Sequence, residues 1–181
     1  DYFQGEQKSE EYTAINPNQS IPALRDGDMV LWESNAILQY AADKVGNNDV
    51  YSKDLKVRAD INRWLLWESS AWFPSCYKYL VENCVKPLLG DTTDQSILDA
   101  EAENFHKLAS ILDARLKNST FLCGEEPTIA DVAVAAPMHL HGWAKLPLGD
   151  HPNLIRWMTK EIENCSWWKE THIGEGFTVS E

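Results

Sequence analysis

Positive charge is scarce in this chain of 181 residues. Sixteen Lys and Arg face 28 Asp and Glu, for a formal net charge of −12. That balance argues against nucleic acid or an anionic membrane as a partner, because both are held by clustered cations. No apolar run approaches the roughly 20 residues of a transmembrane helix, and no signal-peptide pattern opens the chain. The four cysteines, Cys76, Cys84, Cys123 and Cys165, include no C-x-x-C pair. Scattered thiols fit a reducing cytosol rather than a disulfide framework or a zinc site. Gly-rich phosphate loops, a G-x-S-x-G elbow, internal repeats and low-complexity tracts are all missing. His139 and His141 have no third ligand at metal spacing, so no metal is expected. Three sequon-like triplets, at Asn18, Asn118 and Asn164, are as frequent as chance provides. A hydrophobic content of 44% is that of a globular protein with a sizeable core.

What is present concentrates between Asn16 and Val45. Asp26-Gly27-Asp28 is a hairpin turn signal, which pairs Leu24 with the Met29–Leu31 stretch as antiparallel strands. Ser34 reads as the N-cap of a helix with Ile37, Leu38, Ala41 and Val45 on its apolar face and Gly46 as its stop. A helix start gathers unpaired N–H groups and partial positive charge, which suit a carboxylate. Glu33, one residue earlier, suits a cation. The pair can therefore hold a free amino-acid end by both α-groups; the plainer reading is a strand end and a helix cap. Pro22 inside a strand pattern belongs at an edge or bend. A cis Ile21–Pro22 bond is expected there, leaving the Ile21 backbone open to an extended peptide by strand addition. Together the two features suggest a small peptide ligand.

These residues, Asn16-Pro17, Ile21-Pro22-Ala23-Leu24 and Leu31-Trp32-Glu33-Ser34-Asn35-Ala36-Ile37, resemble the cytosolic glutathione transferase family over essentially the whole chain. In motif the chain is closest to the theta/delta-like and bacterial branches. The resemblance implies a two-domain fold: a thioredoxin-like N-terminal domain and an all-helical C-terminal domain. It implies glutathione as co-substrate, with Gln19, Ile21, Pro22, Glu33 and Ser34 as binding residues. Lys8 either meets the glycyl carboxylate or is simply solvated. The family's first βαβ unit takes roughly thirty residues, and only Asp1 to Tyr12 precede the Asn16-Pro17 pair. The thiol-activating residue, expected to be serine, is therefore placed upstream of Asp1, and the 181 residues alone are expected to be inactive. The implied activity is conjugation of the glutathione thiolate to hydrophobic electrophiles by a cytoplasmic homodimer. Alternatives are a non-catalytic binding domain like that of elongation factor gamma, or a glutathione-dependent lyase, isomerase or dehalogenase.

The expected boundaries are 1–46 for the partial thioredoxin-like domain, 47–54 for the linker and 55–181 for the helical domain. Leu55 to Phe73 reads as one long helix that Pro74 kinks or breaks, followed by a second piece to about Val85. Ser70, Phe73, Cys76 and Tyr77 lie at this bend. The resemblance makes them the pocket for the hydrophobic co-substrate; plain core packing accounts for them equally well. Trp64 and Trp67 read as core or domain interface, and Cys76 and Cys84 as structural thiols. Thr92 and Gln95 predict a capping box for a helix reaching about Lys117, with Phe105, Leu108, Ala109, Leu112 and Leu116 on its buried face. Thr128 and Asp131 predict another box, opening an almost wholly apolar, buried helix on which His139 and His141 alternate. A last helix starts near Pro152, and Trp167-Trp168 lie in a short closing segment.

Overall fold

A computed structural model of the chain describes residues 4–171. The outermost residues of the two expected domains, 1–3 and 172–181, lie outside the described part. The chain divides into two compact units, Asp1–Tyr51 and Ser52–Glu181.

The first unit opens with a short turn of helix at Glu6–Lys8 and with α1, Glu10–Ile15. The Ser9 hydroxyl caps α1 by accepting from the Tyr12 N–H at 3.1 Å. Two strands follow, β1 (Ala23–Asp26) and β2 (Met29–Trp32), antiparallel with Leu24 opposite Leu31 and Ala23 opposite Trp32. Gly27 is the first central residue of the two-residue turn and has φ 62°. That is the position at which a type II′ hairpin turn requires glycine. Helix α2, Ser34–Val45, ends on Gly46 at φ 74°, whose N–H reaches back to the carbonyls of Ala42 and Asp43. Asp26 at the end of β1 accepts from both Tyr40 and Lys44 and so fixes α2 across the hairpin. Lys44 first, then Tyr40, hold the Asp26 carboxyl below its ordinary range. The expected apolar face of α2 is realised only in part. Ile37 and Leu38 are half-buried, Ala42 is the buried residue, and Val45 is 79% exposed. A two-stranded hairpin covers only a narrow stripe of the helix.

The second unit is helical. Helix α3 (Leu55–Trp67) starts at Asp54, whose carboxylate accepts from the N–H groups of Lys56 and Val57. Helix α4 (Phe73–Leu80) and the short α5 (Lys86–Leu88) continue it. Pro74 does not break this run. A π turn, Glu68–Trp72, comes directly before α4, and the Phe73 N–H bonds to the Glu68 carbonyl five residues back. Proline lacks an N–H and its ring crowds the carbonyl four residues earlier; the wider turn relieves both. The same device, π turn Val81–Val85, precedes Pro87. Helix α6, Gln95–Leu116, buries Phe105, Leu108, Ala109, Leu112 and Leu116 as expected. Its cap is Asp94, which accepts from the Ser96 N–H and hydroxyl, and not the Thr92–Gln95 box; Gln95 instead donates to Asp99. Asp94 wins because its own N–H is taken by Glu82, which sets the chain one residue before the helix.

Helix α7, Ile129–Ala135, is buried on almost every side. Its cap joins Thr128 and Asp131 reciprocally. Asp131 is fully buried and accepts four hydrogen bonds, from the N–H groups of Leu122 and Thr128, the Thr128 hydroxyl and the Trp157 indole. Burial pushes its carboxyl upward while these donors pull it down. Helix α7 ends before the two histidines, and a short turn at Ala136–Met138 separates them from it. Helices α8 (Pro152–Arg156) and α9 (Ser166–Thr171) close the unit. Its core is aromatic: Trp72 stacks on Trp67 and packs on Phe105, and its indole donates to the Val134 carbonyl. Among the described residues no helix is long and apolar enough to cross a membrane.

Candidate functional site

Asn16 builds the approach to Pro22. Its side chain is fully buried. Its backbone N–H closes α1 on the Tyr12 carbonyl, and its own carbonyl accepts from the Gln19 N–H at 3.0 Å. Its Oδ1 accepts from the Asn18 N–H and its Nδ2 donates to the Ser20 carbonyl at 2.7 Å. An asparagine closing its own turn in this way is the reason Asn-Pro starts loops. The loop then runs to the Ile21–Pro22 peptide, which is cis. Ile21 is 60% exposed, and its backbone has no hydrogen bond among the described residues. Gln19 adopts φ 55°, unusual for a residue with a side chain. Its amide already donates to the Thr13 hydroxyl.

The strand register brings this segment to Glu33 and Ser34. Ala23 lies opposite Trp32, so Ile21 and Ser34 lie beyond the same end of the hairpin, and paired strands run about 4.8 Å apart. Ser34 is the first residue of α2 and not its cap; the cap position belongs to Glu33, at φ 76° and ψ 112°. Left-handed backbone is costly for a residue with a side chain and tends to be kept where function needs it. The Glu33 carboxylate does not cap the helix. Both residues are exposed, and neither side chain has a partner among the described residues. The hairpin end thus presents an unpaired backbone segment, a carboxylate, a hydroxyl and a helix start without a side-chain cap. Lys8 is exposed in the opening turn.

In the second unit, Ser70, Phe73 and Tyr77 are exposed, and the Phe73 and Tyr77 rings stack at 5.3 Å. Cys76 does not join them. It is 0% exposed, and burial, with Glu68 and Glu101 nearby, pushes its thiol well above the ordinary range. One step along a helix is about 100° of rotation, which turns Cys76 into the core while Tyr77 faces out. Burial likewise pushes Cys123 up to about 12. Such thiols are inert as nucleophiles. His139 and His141 are engaged with the Ala136 carbonyl and with Glu163. Among the described residues no three His, Cys, Asp or Glu groups converge as a metal site.

Sequence reasoning passed over one histidine pair. His106 Nδ1 lies 3.0 Å from Nε2 of the buried His151. Burial first, then His106, lower the His151 pKa, against the opposing pull of Asp113 and Asp150. His151 therefore stays neutral in the fold while the unfolded chain takes up its proton below about pH 6.5. The stability held by the neutral ring is present above that pH and lost as pH falls toward the lowered folded value. A denaturant midpoint that falls between pH 7 and pH 5.5, and falls less in His151→Asn, is the expected result. The slope from this one proton is at most about 1.4 kcal/mol per pH unit. Equal slopes in both proteins would remove the assignment.

The profile described as "Glutathione S-transferase, N-terminal domain" matches residues 1–43 and that described as "Glutathione S-transferase, C-terminal domain" matches residues 71–164. A glutathione S-transferase of Hyoscyamus muticus is 36% identical over 172 residues, covering 91% of this chain and 80% of the relative. The crystal structure of glutathione transferase F7 from Populus trichocarpa superposes with a TM-score of 0.84 at 30% identity, over 94% of this chain and 82% of that one. Glutathione S-transferase-I, in a structure with the ligand lactoylglutathione, superposes at 0.76 with 29% identity, over 87% of this chain and 76% of that one. Two domain profiles in order and a relative at this identity over most of both chains settle the lineage: this chain belongs to the glutathione transferase family.

Proposed function

We propose that the hairpin end of the first unit binds glutathione and that the protein joins its sulfur to an apolar electrophile. The observation that carries the reading is the unpaired Ile21 backbone at the same hairpin end as the uncapped Glu33–Ser34 helix start. An extended peptide pairs with the first, and its free α-amino and α-carboxylate end with the second. Glutathione has that chemistry, its γ-linked glutamate leaving both α-groups free. A structural relative with lactoylglutathione bound supports the same ligand class. The Ser34 hydroxyl and the α2 start serve the α-carboxylate, Glu33 the α-ammonium, and Ile21 beside Pro22 the cysteinyl backbone. Gln19 is the weaker member, since its amide is already engaged. Lys8 is available for the glycyl carboxylate.

Thiolate is the nucleophile, and a free thiol with pKa of about 8.5 is mostly protonated at neutral pH. Positioning that sulfur beside the electrophile removes much of the entropic barrier to thioether formation. The exposed face of Ser70, Phe73 and Tyr77 offers apolar and aromatic surface for the co-substrate. Free cysteines throughout suit a cytoplasmic protein. Exposed Leu55, Val57 and Leu66 on α3 supply apolar surface for a homodimer.

The test is calorimetric titration with glutathione, followed by a conjugation assay with an activated aryl halide. Saturable binding is expected, with thioether formation in a protein that also carries the thiol-activating residue. No heat up to millimolar glutathione would overturn the reading.

A further inference from the structure

We infer that Tyr12 is a positioning residue that aims the Ile21 N–H at the bound peptide; this rests on the glutathione reading above. The Tyr12 hydroxyl donates to the Ser20 carbonyl at 2.7 Å. Asn16 Nδ2 donates to the same oxygen at 2.7 Å. Both lone pairs of one carbonyl are thereby occupied, from two side chains on α1 and its C-terminal cap. The Ser20–Ile21 peptide is trans, so Ser20 C=O and Ile21 N–H share a plane and point in opposite directions. Fixing the oxygen fixes the hydrogen. The N–H held in this way is the donor that has no partner within the described residues.

Elsewhere in the loop the backbone is held by turns: Gln19 N–H to the Asn16 carbonyl, Asn18 N–H to Asn16 Oδ1. Neither of these constrains the Ser20–Ile21 plane. Asn16 is fully buried and organises the whole turn, so it serves folding as well. Tyr12 is only half-buried, and its hydroxyl makes this one hydrogen bond among the described residues. Its role is separable from stability for that reason. An oriented donor costs the ligand no reorganisation when it binds, which is where a positioning contact gains its affinity.

The experiment is Tyr12→Phe in the full-length protein, with Ser9→Ala as a second variant. Ser9 caps α1 through the Tyr12 N–H and does not touch Ser20, so it loosens the same helix without removing the clamp. Glutathione Kd and KM are expected to rise about three- to tenfold in Tyr12→Phe, with kcat at saturating glutathione within about twofold. Ser9→Ala is expected to lower the melting temperature at least as much while leaving Kd near the parent value. An unchanged Kd in Tyr12→Phe overturns the inference. So does an equal rise in Ser9→Ala, because generic loosening of α1 would then explain both, and so does a loss in kcat with KM unchanged. Absence of glutathione binding by the parent protein is a different result: it overturns the ligand reading, and this inference falls with it.

Discussion

Asp131→Ala lowers the melting temperature by roughly 6–12 °C. Three buried backbone or indole N–H groups, on Leu122, Thr128 and Trp157, lose their acceptor, and they have no other hydrogen-bond partner among the described residues. A buried donor left unsatisfied costs about 1–3 kcal/mol; the three together cost at least about 3 kcal/mol. For a chain of 150–250 residues each kcal/mol is about 2–4 °C. The effect is large because the carboxylate joins three parts of the second unit at once: the loop at Leu122, the start of α7 and the helical segment after α8. Asp131→Asn, which keeps one acceptor oxygen and the volume, should fall between the two. A calorimetric shift of less than about 3 °C for the alanine variant would mean that water or a rearranged loop replaces the carboxylate.

Ser34→Ala weakens glutathione binding by about 1.5–3 kcal/mol, the range for a hydrogen bond to a charged group. That is roughly a 10- to 150-fold rise in Kd. Glu33→Gln acts to a similar extent, because the charge facing the ligand's ammonium is gone while the side-chain shape is kept. Neither variant should depress kcat at saturating glutathione, since neither group reaches the sulfur. Titration calorimetry and steady-state kinetics separate the two quantities. A fall in kcat with Kd unchanged would place these residues in the chemistry instead of the binding. The melting temperature is expected to move little, because both side chains stand exposed at the hairpin end.

The legible parts of this chain were those written in short-range chemistry. Asp26-Gly27-Asp28 signals a hairpin turn whatever surrounds it, so the hairpin could be read. Gly46 and the Thr128–Asp131 pair act within four residues of themselves. Other features depend on partners far away in sequence. The Asp94 cap is decided by Glu82, twelve residues earlier, against the more familiar Thr92–Gln95 spacing. His106 meets His151 across 45 residues, and Asp113 caps the start of α8 by accepting from the N–H groups of Asn153 and Leu154. No local pattern announces either. At the candidate site Asn16-Pro17 was visible as a motif, whereas the Tyr12 hydroxyl, eight residues from its acceptor, was not. Cys76 was misplaced because proximity along a helix is not proximity around it.

The two π turns before the prolines carry a consequence of the same kind. Each inserts one residue into the spiral, a phase slip of about 100°. The run from Leu55 to Leu88 is therefore continuous in the chain but composed of three angular frames, and no single helical wheel describes it. Which side of α4 meets the core is set by the count of residues in Glu68–Trp72. One residue fewer there, with every side chain otherwise unchanged, would turn the stacked Phe73–Tyr77 pair a quarter-turn or more away from its present face. Spacing in this segment is thus as much a part of the protein's information as composition.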